Sequence, residues 1–130
     1  MSSFTAKEIA YLQGQQLGRL ATVDEAGNPH VVPLTFRYNP DLDTIDIGGH
    51  NLARSKKYRN VARTNRAAFV VDDLVSIDPW QPRMLEIRGR AEVQPVGGQA
   101  MLPEFDPEII RIYPDRVVGF GINAGGLGRS

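Results

Sequence analysis

The spacing of apolar positions changes early in the chain from a helical period to a period of two, which then holds for most of its length. Phe4, Ile9 and Leu12 fall on one side of a predicted helix. Thr5 followed by Glu8 forms a capping box that satisfies free amides at its start, and Gly14 ends it. From Leu17 the pattern predicts strands. Leu17–Val23 is closed by the turn sequence Asp24-Glu25-Ala26-Gly27-Asn28. Pro29–Tyr38 returns, with Val32, Leu34, Phe36 and Tyr38 on one face and Val31, Pro33, Thr35 and Arg37 on the other. Asn39-Pro40-Asp41 turns the chain into a third strand, Thr44–Gly48. Three strands joined by tight turns predict an antiparallel meander.

Gly48-Gly49-His50-Asn51 breaks the pattern, and a basic helix is expected over Leu52–Arg63, with Tyr58, Val61 and Ala62 facing inward. Ala67–Val71 is continuously apolar and reads as a strand covered on both faces, either central in the core or part of an interface. Pro79-Trp80-Gln81-Pro82 reads as a loop, and Met84–Val93 as a clean alternating strand. Gly97–Pro107 predicts a loop with one helical turn. Ile109–Tyr113 and Val117–Phe120 predict a last hairpin around Pro114-Asp115, and the tail Ala124–Gly128 is expected to be mobile. Six or seven short strands with turns about every ten residues favour a mainly β barrel, in one domain spanning residues 1–130. Helices are too few for βαβ units.

Charge narrows the functional classes. Fifteen basic residues balance fifteen acidic ones, so no global field draws the chain to nucleic acid or to a membrane. An oligonucleotide-binding barrel needs a basic groove with stacking rings, and few aromatics are available for one. Any basic patch is therefore local, and a local patch suits a small anion. Cysteine is absent, which removes disulfides and thiolate chemistry. The two histidines, His30 and His50, stand in no metal-ligand spacing, so no metal is expected. No apolar run approaches the ~20 residues that span a bilayer, and no signal-peptide pattern opens the chain. A cytoplasmic protein is the expectation.

The most informative stretch is Gly48-Gly49-His50-Asn51-Leu52-Ala53-Arg54-Ser55-Lys56-Lys57. It joins a glycine pair, the cap-type residues Asn51 and Ser55, and three cations within about one helical turn. A helix start exposes unpaired amides and carries partial positive charge, which suits an anion. Arg54 can grip a phosphate with a planar fork, Lys56 and Lys57 act as point charges, and Ser55 adds a hydroxyl. The same charges also fit a solvated helix face, and the pattern alone leaves both readings open.

Other positions are read singly. Trp80, between prolines, is either a lid over a ligand or a packing anchor. His50 lies beside the anion segment as a ligand contact, whereas His30 reads as a half-buried structural histidine with nothing nearby in sequence to orient it. Arg83 is a candidate contact for an acidic group. Arg88 and Arg90 are expected to pair across strands with acidic neighbours. No catalytic residue is assigned, because no Ser/His/Asp order, carboxylate pair or dinucleotide fingerprint stands out. An enzyme of this kind leaves the chemistry to a cofactor.

The chain resembles the pyridoxamine 5′-phosphate oxidase-like, flavin- and deazaflavin-binding split β-barrel proteins. The resemblance is nearest to their actinobacterial oxidoreductases that use the deazaflavin F420. It is carried by Gly18-Arg19-Leu20-Ala21-Thr22-Val23, Gly27-Asn28-Pro29-His30-Val31-Val32-Pro33-Leu34, Ala53-Arg54-Ser55-Lys56-Lys57-Tyr58-Arg59-Asn60 and Pro79-Trp80-Gln81-Pro82-Arg83. Further segments run on to Arg111-Ile112-Tyr113-Pro114-Asp115. The resemblance implies a split barrel and a homodimer with the cofactor in a groove at the interface. It implies phosphate contacts at Arg54, Ser55, Lys56 and Lys57, near Gly48 and Gly49. It also implies that the strand carrying Val32, Pro33, Leu34 and Thr35 lies along the ring system. The family often carries a tryptophan after the last strand, where this chain reads Gly119-Phe120-Gly121. The expected activity is hydride transfer from F420, with FMN as the alternative cofactor, to a small conjugated molecule. A non-catalytic flavin or deazaflavin carrier is the second reading.

Overall fold

A computed structural model describes residues 1–123. The expectation for the tail Ala124–Gly128 lies outside the described residues. Helix α1 is Ala6–Gln13, capped as the sequence predicts. The Thr5 hydroxyl oxygen accepts from the Glu8 amide at 3.1 Å, and the Glu8 carboxylate accepts from the Thr5 amide at 2.8 Å. Glu8 is fully buried and also accepts from Asn123 at 3.1 Å, so the helix start is tied to the end of the last strand. On its other side, the Tyr11 hydroxyl donates to Asp73 at 3.0 Å, and Arg83 grips the same carboxylate at 3.0 and 2.6 Å.

Six strands close an antiparallel barrel in the order β1-β2-β3-β6-β5-β4. They are β1 (Leu17–Val23), β2 (Pro29–Asn39), β3 (Thr44–Ile47), β4 (Arg66–Ser76), β5 (Gln81–Gln94) and β6 (Ile109–Phe120). Alternation sends Leu20, Phe36, Phe69, Leu85 and Ile87 inward, where they are almost fully buried. Gly18 lies directly against the Phe69 ring, where no side chain fits. Two short helices complete the fold, α2 (Lys56–Thr64) and α3 (Gly98–Met101). Among the described residues no helix is long and apolar enough to cross a membrane.

The structure departs from the sequence pattern at three places. The expected last hairpin is one strand, β6. Its pairing to β5 runs from Gly89↔Pro114 to Arg88↔Arg116, leaving Asp115 as the extra residue of a bulge. A bulge tolerates a proline, and Gly89 admits the close approach of the Tyr113 carbonyl. The apolar run Ala67–Val71 is the buried half of a longer strand, β4. Its outward residues Ala68 and Val70 are only partly covered, so the strand is not enclosed on both faces in a single chain. Arg88 and Arg90 pair along their own strand, with Glu86 at 2.9 Å and with Glu92.

β3 closes the barrel with four residues, all buried, pairing β2 on one side and β6 on the other. Its Asp46 carboxylate accepts from Arg111 at 2.9 and 3.0 Å, from Asn39 at 2.9 Å and from Thr44 at 2.9 Å. Burial alone would raise the Asp46 pKa, but the Arg111, Asn39 and Thr44 hydrogen bonds and the Arg111 charge outweigh it, and the net shift is downward. A carboxyl with a lowered folded pKa stabilises the fold above its ordinary value of 3.8 and loses that contribution as the pH falls through the folded value. Asp46→Ala leaves Arg111 without its partner and should cost about 3 kcal/mol in urea denaturation at neutral pH. The gap to the parent protein should narrow in titrations taken below pH 4, roughly where the carboxyl protonates.

Candidate functional site

Because β3 is so short, it pairs with β2 only from Phe36 to Asn39. From Pro29 to Thr35, β2 pairs with β1 alone and presents an open edge. Val32, Pro33, Leu34 and Thr35 all lie on this half, and alternate residues there direct backbone N–H and C=O groups away from β1. The chain leaves β3 beside the open half. A Cβ on Gly48 would sit 2.9 Å from the Phe105 ring and 3.1 Å from the Met101 sulfur, so close packing requires glycine there. A Cβ on Gly49 would meet nothing within 4 Å. Asp106 straps the loop, donating its amide to the Gly49 carbonyl at 3.2 Å and accepting from the Asn51 amide at 2.8 Å. His50 stands edge-on to Phe105 at 5.6 Å.

The expected continuous helix Leu52–Arg63 is divided. A single 3-10 turn, Leu52–Arg54, ends at Ser55, whose extended backbone (φ −79°, ψ 156°) starts α2 afresh. Ser55 is the cap, accepting from the Tyr58 amide at 3.3 Å, while its own hydroxyl hydrogen goes to the Leu52 carbonyl at 2.6 Å. Asn51 does not cap. It lies in the left-handed region (φ 55°) just before the 3-10 turn. Arg54 therefore precedes the helix, and Lys56 and Lys57 are its first two residues, whose amides have no place in the helical ladder.

Tertiary bonds fix this helix start. The buried Asn60 side chain donates to Thr22 at 3.1 Å, and Arg63 donates to the Val23 carbonyl at 2.7 Å. Arg59 reaches back to the Arg54 carbonyl at 2.7 Å. The two lysines then differ. Lys56 lies 3.7 Å from Asp24. Lys57 is half-buried, no carboxylate pairs with it among the described residues, and burial pulls its pKa down. His30, expected to have nothing to orient it, has Nε2 3.4 Å from the same Asp24 carboxylate.

Loop and helix start thus flank the open half of β2, from Gly48 beyond Phe36 to Lys56 beside the Asp24 turn. Within one chain Trp80 is not part of this grouping. It is exposed at the tip of the β4–β5 arm, beyond Ser76, while Ala21↔Ala68 sets the Asp24 turn level with the first residues of β4. Eleven residues of strand separate those levels, on the order of 30 Å. Trp80 instead borders a recess of about 640 Å³ with Val75, Pro82 and Phe120. An apolar groove of about 560 Å³ lies on the outer sheet over Ala21, Val23, Pro29 and Ala68, with Arg66 and Arg88 at its rim.

Sequence reasoning missed Asp24. It reads as an ordinary turn former, and its contact with Lys56 joins positions far apart in the chain.

Comparison with known proteins places this geometry in context. The sequence pattern of the pyridoxamine 5′-phosphate oxidase family matches residues 4–102. The chain is 48% identical over 119 residues to the 5a,11a-dehydrotetracycline/5a,11a-dehydrooxytetracycline reductase of Streptomyces rimosus, across 92% of this chain and 84% of that protein. The FAD binding protein from Mycobacterium smegmatis has the same fold at a TM-score of 0.63 and 23% identity, covering 92% of this chain and 96% of that one. The heme binding protein from the same organism reaches 0.71 at 18% identity, covering all of this chain and 59% of that one.

The two loop glycines should respond differently to alanine. Gly48→Ala forces the Phe105 ring and Met101 to shift and should destabilise the protein by about 1–3 kcal/mol. Gly49→Ala should leave the thermal midpoint unchanged, as read by circular dichroism.

Proposed function

The chain belongs to the pyridoxamine 5′-phosphate oxidase family, and from that premise we propose that it is an oxidoreductase. Its cofactor is the deazaflavin F420, in preference to FMN, and its substrate is a conjugated small molecule of the fused-ring kind on which the Streptomyces rimosus relative acts. The observation that carries the reading is Lys57, a half-buried ammonium at a capped helix start with no carboxylate partner among the described residues. An anion between Lys56, Lys57 and the free amides satisfies all of them at once.

The residues fit a phosphate-bearing ring cofactor. Space is open over Gly49, cations stand at one end of the β2 edge, and unpaired backbone groups run along it. When bound, such a cofactor supplies the hydride. In this reading Arg54, Lys56 and Lys57 hold the phosphate, Ser55 acts through the helix start it caps, and Gly48, Gly49 and His50 shape the approach. Val32, Pro33, Leu34 and Thr35 support the ring.

A second copy of the chain completes the pocket and brings Trp80 to it. Support comes from the β4–β5 arm, where Val75, Ile77 and Trp80 are 54%, 75% and 68% exposed. An apolar surface of this kind marks an interaction site. The preference for F420 rests on the sequence resemblance to that branch of the family.

Fluorescence titration tests the binding reading. Lys57→Ala and Lys56→Ala should each weaken F420 or FMN binding about tenfold, the scale of a charge-assisted hydrogen bond. Riboflavin, which lacks the phosphate, should bind the parent protein and both variants alike. If neither cofactor binds at micromolar concentration, the reading is wrong. Turnover of fused-ring conjugated acceptors with reduced cofactor separates a reductase from a carrier. Light scattering should give a dimer that Ile77→Asp converts to monomer.

A further inference from the structure

The surroundings of the basic segment contain a carboxylate that phosphate binding does not require. Asp24 opens the β1–β2 turn, and its two oxygens have different tasks. Oδ1 accepts from the Ala26 and Asn28 amides, both at 2.9 Å, so the turn itself fixes the carboxylate. Oδ2 takes no part in those turn bonds and lies 3.7 Å from Lys56 Nζ and 3.4 Å from both His30 Nε2 and Asn28 Nδ2. We propose that Asp24 sets the phosphate affinity of the site: it is the built-in counter-anion of Lys56, and an incoming phosphate must take Lys56 from it. The inference rests on the phosphate reading of that lysine.

Three observations support the exchange. The Asp24 carboxylate is charged at any working pH, because hydrogen bonding, first of all from the Asn28 backbone, holds its pKa at about 2. The contact with Lys56 is loose and the lysine is 53% exposed, so the pair is weak and separable. The other cations around this recess of about 380 Å³ are held by backbone carbonyls, Arg59 by Arg54 and Arg63 by Val23. Lys56 is thus the movable charge. Among the described residues Lys57 has no such competitor, so the two neighbouring lysines bind an anion on different terms. One is open to it, and the other is contested.

Asp24→Asn tests the idea, because asparagine forms the same turn with its carbonyl oxygen and loses only the charge. Asp24→Ser serves as a second variant on the same ground. Each is titrated with FMN, F420 and phosphate-free riboflavin, in the parent and in the Lys56→Ala background. Both variants should bind the phosphate-bearing cofactor about two- to fivefold more tightly, the scale of an exposed ion pair. Riboflavin affinity should not move, and the gain should vanish when Lys56 is alanine. A tightening cannot come from a damaged fold, which would weaken every ligand.

Unchanged or weaker cofactor binding in the Asp24 variants, with Lys56→Ala still harmful, overturns the role of Asp24 and leaves the phosphate site standing. Equal tightening of riboflavin, or a gain that survives Lys56→Ala, also overturns it. If Lys56→Ala has no effect, or neither cofactor binds, the phosphate reading itself fails and this inference falls with it.

Discussion

The barrel closes through a strand of four residues, and the rest of the molecule follows from how short that strand is. β3 must pair β2 on one side and β6 on the other, with every position buried and a carboxylate among them. Asp46 survives there because Arg111, Asn39 and Thr44 all bond to it. Had β3 run further, it would have covered β2 to its start and left a sealed barrel. Instead the chain departs at Gly48, packed against Phe105, and restarts as α2, and half of β2 keeps a free edge. The opening and the basic helix start beside it are therefore one event in the fold.

Charge is spent sparingly around that opening. Two arginines nearby are already engaged, Arg59 and Arg63, each with a backbone carbonyl. What remains is a small set of cations near amides that the helix cannot use. A chain with equal numbers of acidic and basic residues thereby concentrates a positive field in one place without becoming basic overall. This arrangement suits a ligand that presents a phosphate beside a large flat ring system.

Where signals are local, the sequence was legible. The Thr5–Glu8 capping box, the ends of β1 and the alternation of β2 and β5 all depend on neighbours in the chain, and the structure matches them closely. The failures are tertiary. Pro114-Asp115 looks like a hairpin turn until β5 is seen to pair with both sides of it, which converts the turn into a bulge. The second half of β4, residues 72–76, carries no strand signal, because its side chains are mostly exposed and its apolar residues do not alternate. Asn51 and Ser55 both read as cap-type residues, and only the bond to Tyr58 shows that Ser55 is the one that begins the helix. For the candidate site, the basic segment was legible from composition and order. Asp24 and the open edge of β2 were not, because both depend on which strands stop short.

An open strand edge is an invitation to any passing extended chain, and proteins with such edges usually guard them. β2 carries Pro29 and Pro33 on its open half, four residues apart and so of the same parity. Proline has no amide hydrogen, and within sheets it is confined to strand starts and to edges whose N–H side faces away from a partner. An edge that lacks donors at two positions is a poor template for a foreign strand, which needs an unbroken ladder. It can still offer its carbonyls and remaining amides to a small rigid molecule that asks for only a few bonds. The two prolines thus act as a filter against aggregation, letting the barrel stay split without becoming adhesive.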